Sequence, residues 1–123
     1  MFLKTIFGEL PLILNINEIV SFSQQGDDVR IEMNCFGEQH FVKKTCVKDF
    51  ILSLKKEIKE PSSFYEIVES DNNLHIRTDA ILSLSKQQHT NNNLNTRLVL
   101  AGKHHHVINN IDAAQFYEKY VAQ

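Results

Sequence analysis

An internal repeat constrains the fold of this chain more than any other feature of its sequence. The segment IVSFSQQ at residues 19–25 returns 62 residues later as ILSLSKQ at residues 81–87. The same offset aligns other apolar and serine positions without a gap: Phe2 with Phe64, Leu12 with Leu74, Leu14 with Ile76, Ser21 with Ser83 and Ser23 with Ser85. Because a module of about 60 residues is only marginally stable alone, the chain is predicted to form two tandem copies, 1–60 and 61–123, that share a core in one compact unit.

The alignment continues beyond this block with two gaps. The second copy first carries five extra residues. A two-residue deletion then aligns Gly37 with Gly102, His40 with His105 and Val42 with Val107. Both gaps fall in turn-forming segments, where insertions and deletions are tolerated.

Each copy is predicted to contain about five short antiparallel strands followed by one C-terminal amphipathic helix. Val29, Ile31 and Met33 alternate with polar residues, which is typical of a half-buried strand. Apolar stripes at helical spacing follow in both copies: Val47, Phe50, Ile51, Leu54 and Ile58 in the first, and Ala113, Phe116, Tyr117, Tyr120 and Val121 in the second. Asn110 or Asp112 can cap the second helix. The predicted fold is α+β, with the copies related by a pseudo-two-fold axis that buries helices and sheet faces.

The pattern of one copy, FLKTIFGELPLILNINEIVSF followed by VRIEMNCFGEQHFVKKTCVKDFILSL, resembles the small FlbD-type modules of bacteria. More distantly, it is similar to the sheet of LytTR-type DNA-binding domains of response regulators. The shared features are a hairpin at Phe7-Gly8-Glu9, an Asn before a strand at residues 17–22, a turn at Gly37 and the pair Val42-Lys43 before a helix. The resemblance implies a β-rich fold and, through the LytTR-type domains, allows nucleic-acid binding by the sheet or by the lysine-rich first helix.

The charge distribution disfavours nucleic acid as the main partner. The net charge is −2, and it is split evenly between the two halves of the chain. Nucleic-acid binding usually requires a clustered cationic surface, whereas the densest lysine run, at residues 43–59, is interrupted by acidic residues. Nucleic acid is therefore a possible partner but is not favoured by the sequence.

Several features favour a cytoplasmic location. The apolar start MFLKTIFGELPLIL contains Gly8 and Pro11 and has no small-residue cleavage site, so it is interpreted as mature sequence and not as a signal peptide. No other run reaches the ~18 apolar residues of a membrane helix. Two cysteines, Cys35 and Cys46, do not form the framework of a disulfide-rich secreted domain.

Histidines are concentrated in the second copy, and they are the candidate metal ligands. His104 and His106 would point to the same face of a strand, with His75 or His89 as a third ligand. Two imidazoles on one strand are weak evidence, because the chain lacks the spacings of known metal motifs. The sequence therefore predicts no metal and no cofactor, with His104 and His106 as the weak candidates.

His40 and His105 are candidates for a pH-sensitive role. Each precedes an apolar residue of the predicted core, Val42 or Val107, by two positions, so each is expected on the core face. A half-buried histidine near the symmetry axis could make stability depend on pH near its ordinary pKa of ~6.5. The alternative is a structural histidine that is satisfied by hydrogen bonds.

The absence of a nucleophile elbow, a phosphate-binding glycine loop or another catalytic motif predicts a protein that is not an enzyme. The main asymmetry between the copies is the inserted segment KQQHTNNNLN at residues 86–95, which supplies the candidate partner-binding residues His89, Asn91, Asn92, Asn93 and Leu94. The leading hypothesis is a protein-binding or regulatory module, a class that includes adaptors and phage- or mobile-element-encoded inhibitors, and a homodimer is compatible with it. The alternatives are a nucleic-acid-binding regulatory module and, third, a histidine-based metal site.

Overall fold

A computed structural model of the chain describes residues 2–7, 10–57, 64–86 and 95–122. Within these residues the fold is α+β, as predicted, with ten strands in three antiparallel sheets and two short helices. The first half contains β1 (Phe2–Phe7), β2 (Leu10–Asn15), β3 (Ile19–Gln25), β4 (Asp28–Met33), β5 (Gln39–Val42) and α1 (Val47–Glu57). The second half contains β6 (Phe64–Glu66), β7 (His75–Arg77), β8 (Ile81–Lys86), β9 (Asn95–Leu100), β10 (His104–Asn109) and α2 (Ala113–Phe116), which continues as a π-helical turn at Tyr117–Val121. None of the helices in the described ranges is long and apolar enough to cross a membrane.

The central sheet has five strands in the order β5-β4-β3-β7-β6. Its strands come from both halves of the chain, because β3 pairs with β7 through Ser21 opposite Ile76 and Phe22 opposite His75. The outer sheet has the order β10-β9-β8, and β1 with β2 forms a separate hairpin. The predicted boundary at residue 60 therefore divides the sequence between strands that belong to the same sheet.

Two buried apolar clusters cover the central sheet, one on each face. The first cluster joins the β1–β2 hairpin and α1 to the sheet, and it includes Ile19, Phe22 and Phe50. The second cluster joins the outer sheet and α2 to the opposite face, and it includes Val20 and Phe116. β3 contributes to both clusters because successive side chains of a strand point to opposite faces. The core that was predicted to be shared is thus divided by the central sheet.

Helix α2 begins where the sequence predicted it, and the start of each helix is fixed by a side chain. Asp112, one of the two predicted caps of α2, accepts a hydrogen bond from the backbone of Gln115, whose own side chain accepts from the backbone of Asp112. This arrangement is a complete capping box. At α1, Gln24 of β3 accepts a hydrogen bond from the backbone of Val47 (2.9 Å). The Gln24 side chain also donates to the carbonyls of Asp28 (2.9 Å) and Thr45 (3.2 Å), which holds the start of α1 against the β3–β4 turn.

The prediction that His105 lies on the core face is wrong. In β10 the buried residues are His104 and Ile108, whereas His105 and Val107 are exposed. The strand registers explain the error. His40 lies opposite Ile31 of β4. The residue that aligns with Ile31 in the second half is Leu98, and Leu98 lies opposite His106, not His105. The gap in the alignment is one residue and not two, and a shift of one residue exchanges the two faces of a strand.

Candidate functional site

The largest excess of positive charge lies on α1 and the loop before it. We call the exposed side chains of Lys43, Lys44, Lys48, Lys55 and Lys56 the lysine surface. Residues 43–57 contain these five lysines and two acidic residues, a net charge of +3, whereas the rest of the chain contains eight basic and thirteen acidic residues, a net charge of −5. The even balance between the two halves of the sequence hides this local concentration.

Hydrogen bonds to Asp28 fix the first part of the lysine surface. Lys44 has a left-handed backbone conformation (φ 54°), and its amide donates to the Asp28 carboxylate at 3.0 Å. The ammonium of Lys43 lies 3.2 Å from the other oxygen of the same carboxylate. These two interactions, the backbone hydrogen bond first, lower the pKa of Asp28 below its ordinary value. The loop before α1 is therefore held in a defined conformation, and part of the Lys43 charge is offset by Asp28.

An open groove of about 440 Å³ lies beside the lysine surface, between α1 and the β6–β7 hairpin. Val47, Ile51 and Leu52 line its helix side. His75 lines the opposite side and is 9% exposed; its ring is stacked on Phe22 at a centroid distance of 4.9 Å. His75 was a candidate third metal ligand, but it lies in this groove and not with His104 and His106.

A buried polar network joins β10 to the central sheet. Glu32 of β4 is 5% exposed, and its carboxylate accepts hydrogen bonds from Ser21 Oγ (2.5 Å) and His106 Nε2 (2.5 Å). Nδ1 of His104 lies 3.1 Å from the second Glu32 oxygen, and Nε2 of the same ring lies 2.7 Å from the carbonyl of Met33. Both nitrogens of His104 thus face acceptors, and a ring that carries both protons satisfies both of them.

This network controls the ionisation of Glu32. Burial alone would raise the pKa of Glu32, but the hydrogen bond and charge of His106, the Ser21 hydroxyl and the charge of His104 together lower it from 4.5 to about 2. Glu32 is therefore a buried carboxylate that is ionised at neutral pH and is matched by polar groups from two other strands.

The structure brings the two weak metal candidates together, because His104 and His106 both contact Glu32. Among the described residues, however, no group of three or more His, Cys, Asp or Glu side chains is arranged to hold a metal ion. Their ring nitrogens bond to the carboxylate of Glu32, so the arrangement serves to attach the outer sheet to the central sheet. Sequence reasoning missed Glu32, since only the strand pairing shows that it faces β10.

The turns β4–β5 and β9–β10 meet at one end of the molecule. The amide of Gly37 donates to the carbonyl of Gly102 at 3.2 Å. Gly102 has φ 82°, and a Cβ at this position would lie 2.7 Å from the Met33 carbonyl oxygen, so the close approach requires glycine. Phe36 is 76% exposed, and the Lys103 ammonium lies 5.4 Å from the centre of its ring.

The two candidate pH-sensitive histidines lie in different surroundings. His40 is half-buried, and its Nε2 lies 3.7 Å from a carboxylate oxygen of Glu38. His105 is exposed, and its Nδ1 lies 2.8 Å from Nη2 of Arg97. The two side chains therefore do not form an equivalent pair. The candidate partner-binding residues His89, Asn91, Asn92, Asn93 and Leu94 lie outside the described residues.

No protein-family model and no curated protein sequence matches this chain significantly. Among solved structures, the chain is similar to a LytTr DNA-binding domain from Bacillus cereus, with a TM-score of 0.60 and 10% sequence identity. The similarity covers 95% of this chain and 94% of the other chain.

The expectation that a protein partner is favoured over nucleic acid is contradicted by this finding, because the similar structure is a DNA-binding domain. The net charge of the whole chain averages the lysine surface with the acidic remainder. The resemblance to LytTR-type domains that the sequence indicated is confirmed. This chain therefore shares the fold of a LytTr DNA-binding domain over nearly its whole length.

Proposed function

We propose that this chain is a non-enzymatic regulatory domain that binds nucleic acid in the cytoplasm. The observation that supports this proposal is the fold similarity to a DNA-binding domain, which extends over 95% of the chain. The lysine surface gives the proposal a physical basis, because phosphate groups are bound mainly by Lys and Arg side chains. The net charge of +3 on residues 43–57 is the largest local excess of the sign that phosphate requires.

The geometry of α1 suits contacts to a phosphate backbone. Lys44 and Lys48 lie near the start of the helix, and Lys55 and Lys56 lie near its end. Eleven residues of helix extend about 16 Å, so the surface can follow several successive phosphates of one strand. The hydrogen bonds of Asp28 to the loop before α1 reduce the entropy that the loop would lose on binding.

Salt-dependent binding tests this proposal. We would titrate the full chain into fluorescein-labelled 30-base-pair DNA and RNA duplexes of mixed sequence and follow anisotropy at several salt concentrations. Binding should weaken as the salt concentration rises. The negative slope of log K against log[salt] should become shallower by about 0.9 for each phosphate contact that is removed. Lys44→Gln with Lys56→Gln should lower both the affinity and the slope. Lys86→Gln, an exposed lysine of β8 outside the lysine surface, serves as the matched control.

Two results would contradict the proposal. One is the lack of any binding to either duplex at low salt. The other is an equal effect of the Lys44→Gln, Lys56→Gln double variant and of Lys86→Gln, since the lysine surface would then have no special role.

The repeat is part of this proposal, and we take the two halves to be copies of one structural unit. Both halves have the same order of elements, including a 3-10 turn before β3 and before β8 at an offset of 62 residues. Left-handed residues recur at an offset of 66, at Gly37 and Lys103 and at Lys44 and Asn110. The sheets are nevertheless distributed unequally, because β7 joins the central sheet while β2 pairs only with β1 among the described strands. An experimental structure in which these positions failed to superpose would exclude the duplication.

A further inference from the structure

We propose that the groove between α1 and the β6–β7 hairpin, which we call the α1 groove, binds a small amphipathic molecule with a single acidic head group. The volume of about 440 Å³ lies within the ~300–1,000 Å³ range of small-molecule sites. Such sites are mostly apolar with a few polar groups. The α1 groove has this composition.

The apolar part of the α1 groove comes from one side of the helix. Val47 is buried, Ile51 is half-buried and Leu52 is 52% exposed, so the apolar surface continues from the core to the rim. An apolar group in the groove would cover this exposed leucine.

A polar group of fixed orientation lies on the other side. Nδ1 of His75 is 2.9 Å from the carbonyl of Asn73, and because a carbonyl only accepts, Nδ1 carries the proton. In a ring that carries this one proton Nε2 is an acceptor, and it has no hydrogen-bond partner among the described residues. Stacking on Phe22 holds the ring in place. A ligand hydroxyl or amide can therefore donate to Nε2.

The charges select the sign of the head group. Lys48 and Lys55 both line the α1 groove and lie seven residues apart, about two helical turns, on the same side of α1. Neither forms an ion pair within the ranges that the structure describes. Glu66 lines the opposite side and disfavours a second anionic group there. A ligand that matches the groove therefore has one acidic group near the helix, an apolar body and one hydrogen-bond donor near His75.

Such a ligand would regulate the proposed function, and this step depends on that function. Lys48 and Lys55 belong both to the α1 groove and to the lysine surface. A bound acid and a phosphate would compete for the same two ammonium groups. Occupancy of the groove should therefore weaken nucleic-acid binding without any change of fold.

The binding step can be tested with a probe of the required chemistry. We would titrate the full chain at neutral pH with 1-anilinonaphthalene-8-sulfonate, an aromatic monoanion, and with N-phenyl-1-naphthylamine, its uncharged counterpart, and follow fluorescence. We expect saturable 1:1 binding of the anion and at least tenfold weaker binding of the neutral probe. Lys48→Gln with Lys55→Gln should weaken the anion about tenfold, whereas Lys86→Gln should have no effect.

Leu52→Glu tests the apolar side, and because Leu52 is exposed the variant is expected to keep the fold. It should abolish probe binding. Amide chemical-shift changes of the wild-type chain give a second measurement that needs no variant, and they should be largest at Leu52, Asn73 and His75. Unsaturable binding, equal affinity for both probes, or shift changes centred elsewhere would overturn the α1 groove as a site.

The nucleic-acid step is tested separately by repeating the anisotropy titration in the presence of the anionic probe. Weaker DNA binding that returns to normal with the neutral probe supports competition. Probe binding with unchanged DNA affinity would overturn the regulation while the site remains. Saturable probe binding by a chain that binds no nucleic acid would overturn the proposed function alone.

Discussion

The two faces of the central sheet are built from different chemistry. Towards α1, Phe22 is 1% exposed and contacts the rings of Phe50 (4.9 Å) and Phe64 (5.2 Å). Towards β10, the opposite face combines apolar residues with the buried Glu32, held by Ser21, His104 and His106. Apolar packing is tolerant of orientation, whereas a buried carboxylate must have its partners at defined distances. Both faces therefore contribute apolar packing, and the Glu32 network in addition fixes how β10 is placed on the sheet.

The largest effect should come from the apolar face. Phe22→Ala removes the side chain at the centre of the first cluster and leaves a cavity, which should lower the free energy of unfolding by up to about 5 kcal/mol. Urea unfolding followed by circular dichroism measures this change. Phe36→Ala is the control, because Phe36 is 76% exposed and its loss should change the free energy by less than about 0.5 kcal/mol. Similar losses in both variants would contradict the cluster assignment.

Glu32→Ala should break the polar face at a cost of about 4 kcal/mol, because it leaves His104, His106 and the Ser21 hydroxyl buried without their acceptor. The matched variant replaces the three ionisable members of the network, Glu32, His104 and His106, by Leu. Since a buried ion pair that is replaced by apolar residues is often no less stable, this variant should unfold near the wild-type urea midpoint. A triple variant as unstable as Glu32→Ala would show that the polar group contributes net stability.

Lowering the pH should remove roughly 3 kcal/mol of unfolding free energy from the polar face. This is the free energy that corresponds to lowering the pKa of Glu32 from 4.5 to about 2. The folded state holds Glu32 ionised, so this stability is present above pH 4.5 and is lost as the pH falls towards 2. The difference in unfolding free energy between wild type and Glu32→Gln, measured from pH 6 to pH 2, isolates this group from Asp28 and Glu69. A constant difference over that range would exclude an ionised Glu32.

The smallest effect is expected at the end of the molecule where the β4–β5 and β9–β10 turns meet. Gly102→Ala should cost about 2 kcal/mol, because its Cβ would meet the carbonyl oxygens of Met33 and Cys35 at 2.7 and 2.8 Å. Gly37→Ala has a similar positive φ of 67° but no atom within 4 Å of the added Cβ. It should cost only about 1 kcal/mol, the strain of the left-handed conformation. Thermal unfolding of the two variants gives the difference, and equal losses would rule out the steric contact.

The sequence predicted the elements of this fold better than it predicted their assembly. The α+β class, the apolar positions of α1 and the cap at Asp112 follow from local periodicity and capping chemistry, which depend on neighbouring residues. The composition of the central sheet depends on which strand pairs with β3, and β7 is separated from it by about 50 residues. No local sequence pattern indicates that β3 pairs with β7.

The candidate site was predicted less well, for two physical reasons. His40 and His105 were paired through a gap that was one residue too long, and a strand changes face with each residue. Glu32 looked like an ordinary exposed residue of a half-buried strand, because its partners His104 and His106 lie more than 70 residues away. The His75 side of the α1 groove escaped notice for the same reason, since it is formed by the β6–β7 hairpin opposite α1.

The pairing of β3 with β7 has a consequence for synthesis on the ribosome. β3 and β4 can form a hairpin as soon as they emerge, but the second edge of β3 stays open until residues 75–77 leave the exit tunnel. An open strand edge can pair with other nascent chains. At ~5–20 residues per second, the roughly 50 residues between the two strands expose this edge for several seconds. Translation pauses that fall between β3 and β7 should therefore lower the yield of folded protein more than pauses after β7.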